Sequence, residues 1–482
     1  MSSAPLRSPV NREAVGDLRG WLQLALLLAE GLVVPAATAV TYIVALRLRG
    51  AEFIAQYALV LAWTAVFQGA ANFGLPQYLL REAGKLGGAA GKLIVHALLL
   101  GGMATAAAMA AMICTVRLFG YPAPLEAALF VGALVMPPLM VSLACRSVFL
   151  AARRAFLILT IASVETALVI CGSLYGIVSG RPVVWLVYSL VAGKAVNAVT
   201  SLLFVRRHAR GYHQLDPDCF RALRGPLFAF ALSDGLGFLT TRISVILLSK
   251  IGTLSALGVY ASVSKLLELA WIVPAIFGQF LMPRIARSFQ TRGDHDLGDF
   301  THVLRLMYGI VVAASVGGAL FAEPILALVF GSQAKGGGSI LRWLMVYLVL
   351  DAMDMLQGIV LKCAGLQATD VRIYVSNLAG NVASALVLMP MFGGVGAAAA
   401  RCLGVCCSLI LRGVYVSRRL VRIPWLSLVG SPMVGSSVLA VALRPFLGST
   451  RPFVLMAGYA VAAGILLVYW ATRPQLGPRP GA

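Results

Sequence analysis

About fourteen stretches of roughly 20 mainly apolar residues run almost end to end through the chain, and no other feature constrains the fold as strongly. A segment of that length crosses a bilayer as a helix, because hydrocarbon offers no partner to an unsatisfied backbone group. The spans are expected at 21–46, 54–73, 93–116, 126–150, 157–178, 183–205, 227–249, 255–281, 303–329, 339–361, 371–391, 394–416, 424–446 and 452–471. With 60% hydrophobic and 12% charged residues in 482, nothing is left over for a soluble domain. The expected class is all-α, a polytopic membrane protein with about 14 transmembrane helices.

The first 20 residues carry Arg7, Arg12, Glu13, Asp17 and Arg19 before any apolar run begins. They lack the short apolar core and cleavage site of a signal peptide, so the first span is expected to stay in the mature protein. A net charge of +21 raises the question of nucleic acid, but its distribution points elsewhere. When loops are assigned alternately to two sides, Lys and Arg concentrate on the side holding both termini. The positive-inside rule then places both termini and the long loops near 205–226 and 282–302 in the cytoplasm. The surplus reads as topology and contact with anionic headgroups, and no nucleic-acid partner is expected.

Eight cysteines lie mainly in apolar spans, where they behave as small hydrophobes. Cys402, Cys406 and Cys407 cluster in CLGVCC, but no His or carboxylate stands near in sequence to complete a metal site, so none is expected.

An internal repeat organises the chain. RGAEFIAQYALV (49–60) follows the first span and SKIGTLSALGVYASV (249–263) follows the seventh. Each places a Gly before a Tyr-Ala, a Phe-Gly further on (Phe73-Gly74, Phe277-Gly278), and then Pro and Arg. The offset equals six spans, an even number, so the copies share one orientation and predict two six-helix bundles related by a pseudo-two-fold along the membrane normal. The expected organisation is a cytoplasmic segment 1–20, a first bundle 21–205, a linker 206–226, a second bundle 227–416, two additional helices within 424–471 and a cytoplasmic tail 472–482.

Charges retained inside spans are costly, at roughly 3 kcal/mol or more at mid-bilayer, and usually face a cavity or a partner. Here they are Glu30, Arg146, Glu165, Lys194, Asp234, Arg242, Lys265, Glu268, Asp351, Asp354 and Arg401. Lys265 and Glu268 are three residues apart on one helix face, a spacing that suits a local ion pair or a cation facing an anionic headgroup. Asp351 and Asp354 share that spacing, either as hydrogen-bonding groups or as a carboxylate pair able to hold a proton. Lys265, Arg242, Arg146, Lys194 and Arg401 are candidate substrate-binding groups, since Arg grips phosphate with a bidentate fork and Lys with a point charge. Glu30, Asp234, Glu268, Asp351 and Asp354 are candidates for charge balance or coupling. Lys92, His96, Arg305, Arg342, Lys362 and Arg412 sit near span ends, where they are expected to snorkel.

No HExxH, GxSxG or GxxxxGK[ST] motif is present, and no external loop is long enough for a catalytic site. An enzyme is not expected. Energy for any transport would come from ion gradients, H+ or Na+, or from the substrate's own gradient, without a cofactor.

RLRGAEFIAQYALV (47–60), NFGLPQYLLREAG (72–84), the run from Arg242 to Arg287, AEPILALVFG (322–331) and MFGGVGAAAARCLG (391–404) resemble the polysaccharide transporter branch of the multidrug/oligosaccharidyl-lipid/polysaccharide superfamily, the Wzx-type flippases. The resemblance runs from about residue 20 to 471. It implies a fourteen-helix, two-lobed transporter of the bacterial cytoplasmic membrane. Such a protein moves an undecaprenyl-diphosphate-linked oligosaccharide from inner to outer leaflet through a cationic cavity, for O-antigen, capsule or exopolysaccharide assembly. Membrane lipids and a polysaccharide polymerase with its export machinery are the implied partners. Lys265 and Arg242 match positions where the family carries charge. The departure is the first span, which holds Glu30 and no internal arginine, unlike the lipid II flippase branch. The competing reading is a cation-coupled multidrug exporter of the same superfamily.

Overall fold

The computed structural model describes residues 10–72, 75–76, 79, 90–208, 235–292, 300–421, 423–443 and 452–472. Asp234, Cys219 and the Phe73-Gly74 arm of the repeat lie outside these residues. Every regular element among them is helical. In chain order the longer helices are α1 (Val10–Arg49), α2 (Ala51–Ala71), α3 (Ala90–Phe119), α4 (Ala123–Ala133), α5 (Met136–Ala151), α6 (Ala155–Val178), α7 (Val184–His208), α8 (235–251), α9 (Leu254–Ala270), α10 (Ile272–Arg292), α11 (Thr301–Leu320), α12 (Ala322–Phe330), α13 (Gly337–Cys363), α14 (Gln367–Arg419), α15 (Ser431–Leu443) and α16 (Pro452–Thr472), with a short 3-10 turn at Gly331–Ala334 and a π-helical turn at Leu426–Gly430.

Among the described residues each expected span falls on helix, and eleven helical stretches are individually long and apolar enough to cross a membrane. The chain is a multi-pass membrane protein. The differences from the expected spans lie at breaks that apolarity cannot report. Span four divides into α4 and α5 just ahead of Pro137 and Pro138, which cannot continue a backbone ladder and so fit the first turn of α5. Span eight divides at Trp271 into α9 and α10, and span nine at Phe321 into α11 and α12. Spans eleven and twelve are two helices, as expected, separated where Gly393 leaves helical backbone at φ 53° shortly after Pro390, and α14 denotes the pair. The first helix begins at Val10, well before the apolar run.

The chain forms two compact units. The first takes the residues up to Thr41 together with Trp63–Gly235, and the second takes Tyr42–Ala62 and Leu236–Ala482.

In the first unit, α6 and α7 pack closely because Gly172 and Gly176, one turn apart, admit Ser189 and Trp185 of α7 against the α6 backbone. The Trp185 indole donates to the Gly172 carbonyl at 3.1 Å. Ile94, Cys145, Phe149, Ile158, Ile161 and Val205 form the core beside this pair, so Cys145 does behave as a core hydrophobe.

In the second unit, α13 is the innermost helix, buried along most of its length and packed against α14 on one side and α11 on another. The Tyr308 hydroxyl of α11 donates to the Ala352 carbonyl at 3.0 Å. The last two helices pack on α11 through Phe321, Ala440, Leu455, Tyr459 and Ala463. The opposite side of α15 exposes Val434, Val438 and Val441, an apolar stripe suited to lipid.

Both repeat copies form helix-to-helix corners, α1 to α2 at Gly50 and α8 to α9 at Gly252–Thr253. The Thr253 hydroxyl caps α9 by accepting from the Ala256 N–H at 3.2 Å. Arg47 anchors the first corner by donating to the Leu328 and Val329 carbonyls at the end of α12, where unpaired carbonyls and the helix dipole favour a cation.

Candidate functional site

The second unit encloses a cavity of about 530 Å³ between α8, α9, α13 and α14. Its wall contains four cations, Arg242, Lys362, Arg401 and Arg412, and four carboxylates, Glu268, Asp351, Asp354 and Asp370. Tyr260, Trp271, Tyr347 and Tyr374 add aromatic faces. On α13 the lining runs from Tyr347 to Lys362, which at 1.5 Å per residue is roughly 22 Å of helix.

Most of these charges are held in two networks. In the first, Glu268 bridges two cations: its Oε1 accepts from Arg242 Nη1 at 2.9 Å and its Oε2 from Lys265 Nζ at 2.7 Å. The three-residue spacing therefore forms the expected ion pair, with Arg242 of α8 as a third member. Lys265 does not line the cavity. Its side chain is only 8% exposed, and its ammonium sits 4.9 Å from the centre of the Tyr42 ring.

The second network ties α13 to both ends of α14. Arg412 pairs with Asp354 and, at 2.9 Å, with Asp370, which also lies 3.7 Å from Lys362. The sequence reading set Arg412 aside as a snorkelling cation. Instead it is 3% exposed, and the two acids neutralise it where it stands. His96, also set aside, is 1% exposed. Lys362, about half exposed, fits the snorkelling expectation better.

Asp351 and Asp354 share a helix face, and each turns to a different partner. Asp351 accepts from the Trp271 indole, and Asp354 turns to Arg412. Arg401 lies 4.4 Å above the Tyr347 ring and has no carboxylate at ion-pair distance among the described residues. Arg401 and Asp351 are thus the two lining charges outside the ion-pair networks, each braced by an aromatic ring.

The remaining candidates are in the first unit, around a smaller cavity of about 420 Å³ walled largely by apolar side chains. Arg146 pairs with Glu30 at 2.7 Å, joining α5 to α1. Lys194 and Asn197 of α7 both donate to Glu165 of α6. The cations proposed from sequence as one set therefore divide between the units. All but Arg401 have a carboxylate partner, so neither cavity is a simple cationic surface. Asp370, Trp271 and the tyrosines were missed and Arg412 was set aside, because a charge beside a span end reads as one that reaches water.

No protein-family model and no curated protein matches the chain. Solved structures do. The lipid II flippase MurJ in an inward closed conformation superposes with a TM-score of 0.72 at 11% identity, covering 95% of this chain and 98% of that one. An inward-facing multidrug resistance MATE family transporter of the MOP superfamily gives 0.58 at 14% identity over 82% and 94%. The MATE multidrug transporter DinF-BH gives 0.61 at 16% identity over 87% and 98%. The departure at Glu30 does not separate this fold from that of MurJ. At such identities the likeness is one of architecture, and the chain has the all-helical, two-bundle membrane fold shared by MurJ and the MATE transporters.

Proposed function

We propose that this protein is a flippase that carries an undecaprenyl-diphosphate-linked oligosaccharide from the inner to the outer leaflet of a bacterial cytoplasmic membrane by alternating access. The observation that carries this reading is the cavity of the second unit, in which acids, bases and aromatic rings line a space of about 530 Å³ among apolar helices. Carboxylates accept hydrogen bonds from sugar hydroxyls, aromatic faces pack against sugar rings, and guanidinium groups grip phosphate. An exporter of organic cations calls for carboxylates in excess, whereas here bases equal acids. The extent of the MurJ match, 95% of the chain against 82% for the MATE transporter, also favours the flippase side. In this reading both termini are cytoplasmic, and the product is handed to a polymerase and export machinery for surface polysaccharide. Transport draws on an H+, Na+ or substrate gradient.

The test is the leaflet distribution of undecaprenyl-linked oligosaccharide in a depletion strain. Accumulation on the cytoplasmic leaflet, relieved by wild type and not by Arg401→Ala, is the expected outcome. An unchanged distribution with new sensitivity to cationic drugs would replace this reading with multidrug export.

A further inference from the structure

Glu268 is held as a bound anion would be. Each of its two carboxylate oxygens meets a different cation, Arg242 at 2.9 Å and Lys265 at 2.7 Å, from two different helices. Its side chain is 35% exposed and lines the cavity, so it can leave the clamp without unfolding α9. The clamp keeps unused capacity, because the buried Arg242 Nε has no hydrogen-bond partner. Lys265 also has a second support, the Tyr42 ring 4.9 Å away, which stays in place if the carboxylate moves.

We propose that Glu268 is a displaceable counter-ion. In the empty protein it occupies the site made by Arg242 and Lys265, and it gives way when an anionic group of the substrate enters. Two cations facing one carboxylate leave a net positive charge, and a phosphate group satisfies that site better because it brings more charge and more acceptor oxygens. The exchange lets the protein keep two cations among membrane helices without binding every passing anion tightly. It also supplies a group to expel the cargo on the far side. The proposal rests on the transport reading only in naming the cargo; the anion could be the linking diphosphate or the carboxylate of an acidic sugar.

A residue that helps to hold the anion loses affinity when it is neutralised, whereas a displaceable counter-ion gains affinity. The experiment is a binding titration of the detergent-purified full chain with inorganic pyrophosphate, with glucuronate, and with neutral methyl glucoside as control. Glu268→Gln is expected to tighten pyrophosphate binding about tenfold, the effect of removing one competing charged hydrogen bond. Glu268→Asp, too short to reach both cations, is expected to fall between, and serves if the Gln variant does not fold. Arg242→Gln and Lys265→Met are expected to weaken binding. Thermal unfolding gives a second readout: Glu268→Gln should melt lower than wild type in anion-free buffer and gain more from added pyrophosphate.

Tightening seen with glucuronate and not pyrophosphate assigns the anion to the sugar and keeps the counter-ion role. Unchanged or weakened binding of both anions in Glu268→Gln and Glu268→Asp overturns it. The leaflet assay is independent, so the counter-ion can fail while transport stands, and the reverse.

Discussion

Gly258 of α9 lies so close to Ala51, the first residue of α2, that a β-carbon on Gly258 would overlap the Ala51 carbonyl oxygen. The two residues belong to the two repeat copies, so the copies meet where no side chain fits. Gly258→Ala is expected to destabilise the protein by roughly 1–3 kcal/mol, and Gly258→Val by more, because backbone has to shift. Thermal unfolding in detergent checks this, and an Ala variant that melts with wild type would contradict the contact.

Arg412 is the hub of a buried charge network with Asp354 and Asp370. Arg412→Met leaves Asp354 without a cation and Asp370 with Lys362 alone, and is expected to cost about 3–5 kcal/mol. Adding Asp354→Asn and Asp370→Asn should recover most of that loss. A triple variant that is the sum of three separate losses would show that the groups do not act together.

Asp351 gives the Trp271 indole its acceptor. Asp351→Asn keeps an acceptor oxygen and is expected to melt within about 1 kcal/mol of wild type, while Asp351→Ala orphans the indole N–H and loses roughly 1–3 kcal/mol. If the charge serves the cargo, the Asn variant remains folded and still fails to relieve leaflet accumulation. Full relief by Asp351→Asn would limit this residue to a structural role.

Glu165 and Lys194 form a pair inside the first unit, with side chains 7% and 18% exposed. A double-mutant cycle with Glu165→Gln and Lys194→Met is expected to give a coupling energy of about 0.5–3 kcal/mol. A coupling near zero would mean that Asn197 alone holds Glu165.

The helices were legible because burial in lipid demands long apolar runs, and that demand is written residue by residue. Pairings within one helix were legible too, as Lys265 and Glu268 show, since their spacing fixes their separation. Arg412 was not. Its place near a span end predicts snorkelling, and only the fold brings Asp354, 58 residues earlier in the chain, and Asp370 onto it.

The sequence by itself determined that this chain is a helical membrane protein, where its spans lie and which residues carry charge into them. Those properties follow from local composition and helical period, which need no knowledge of neighbours. Tertiary structure alone decided which charges face one another. Among the described residues it left Arg401 without an acid, gave Glu268 two cations, and divided the sequence-predicted cations between the two units. A charge's partner is set by the packing of helices distant in sequence, and an electrostatic pair exists only at the few ångströms over which that packing holds.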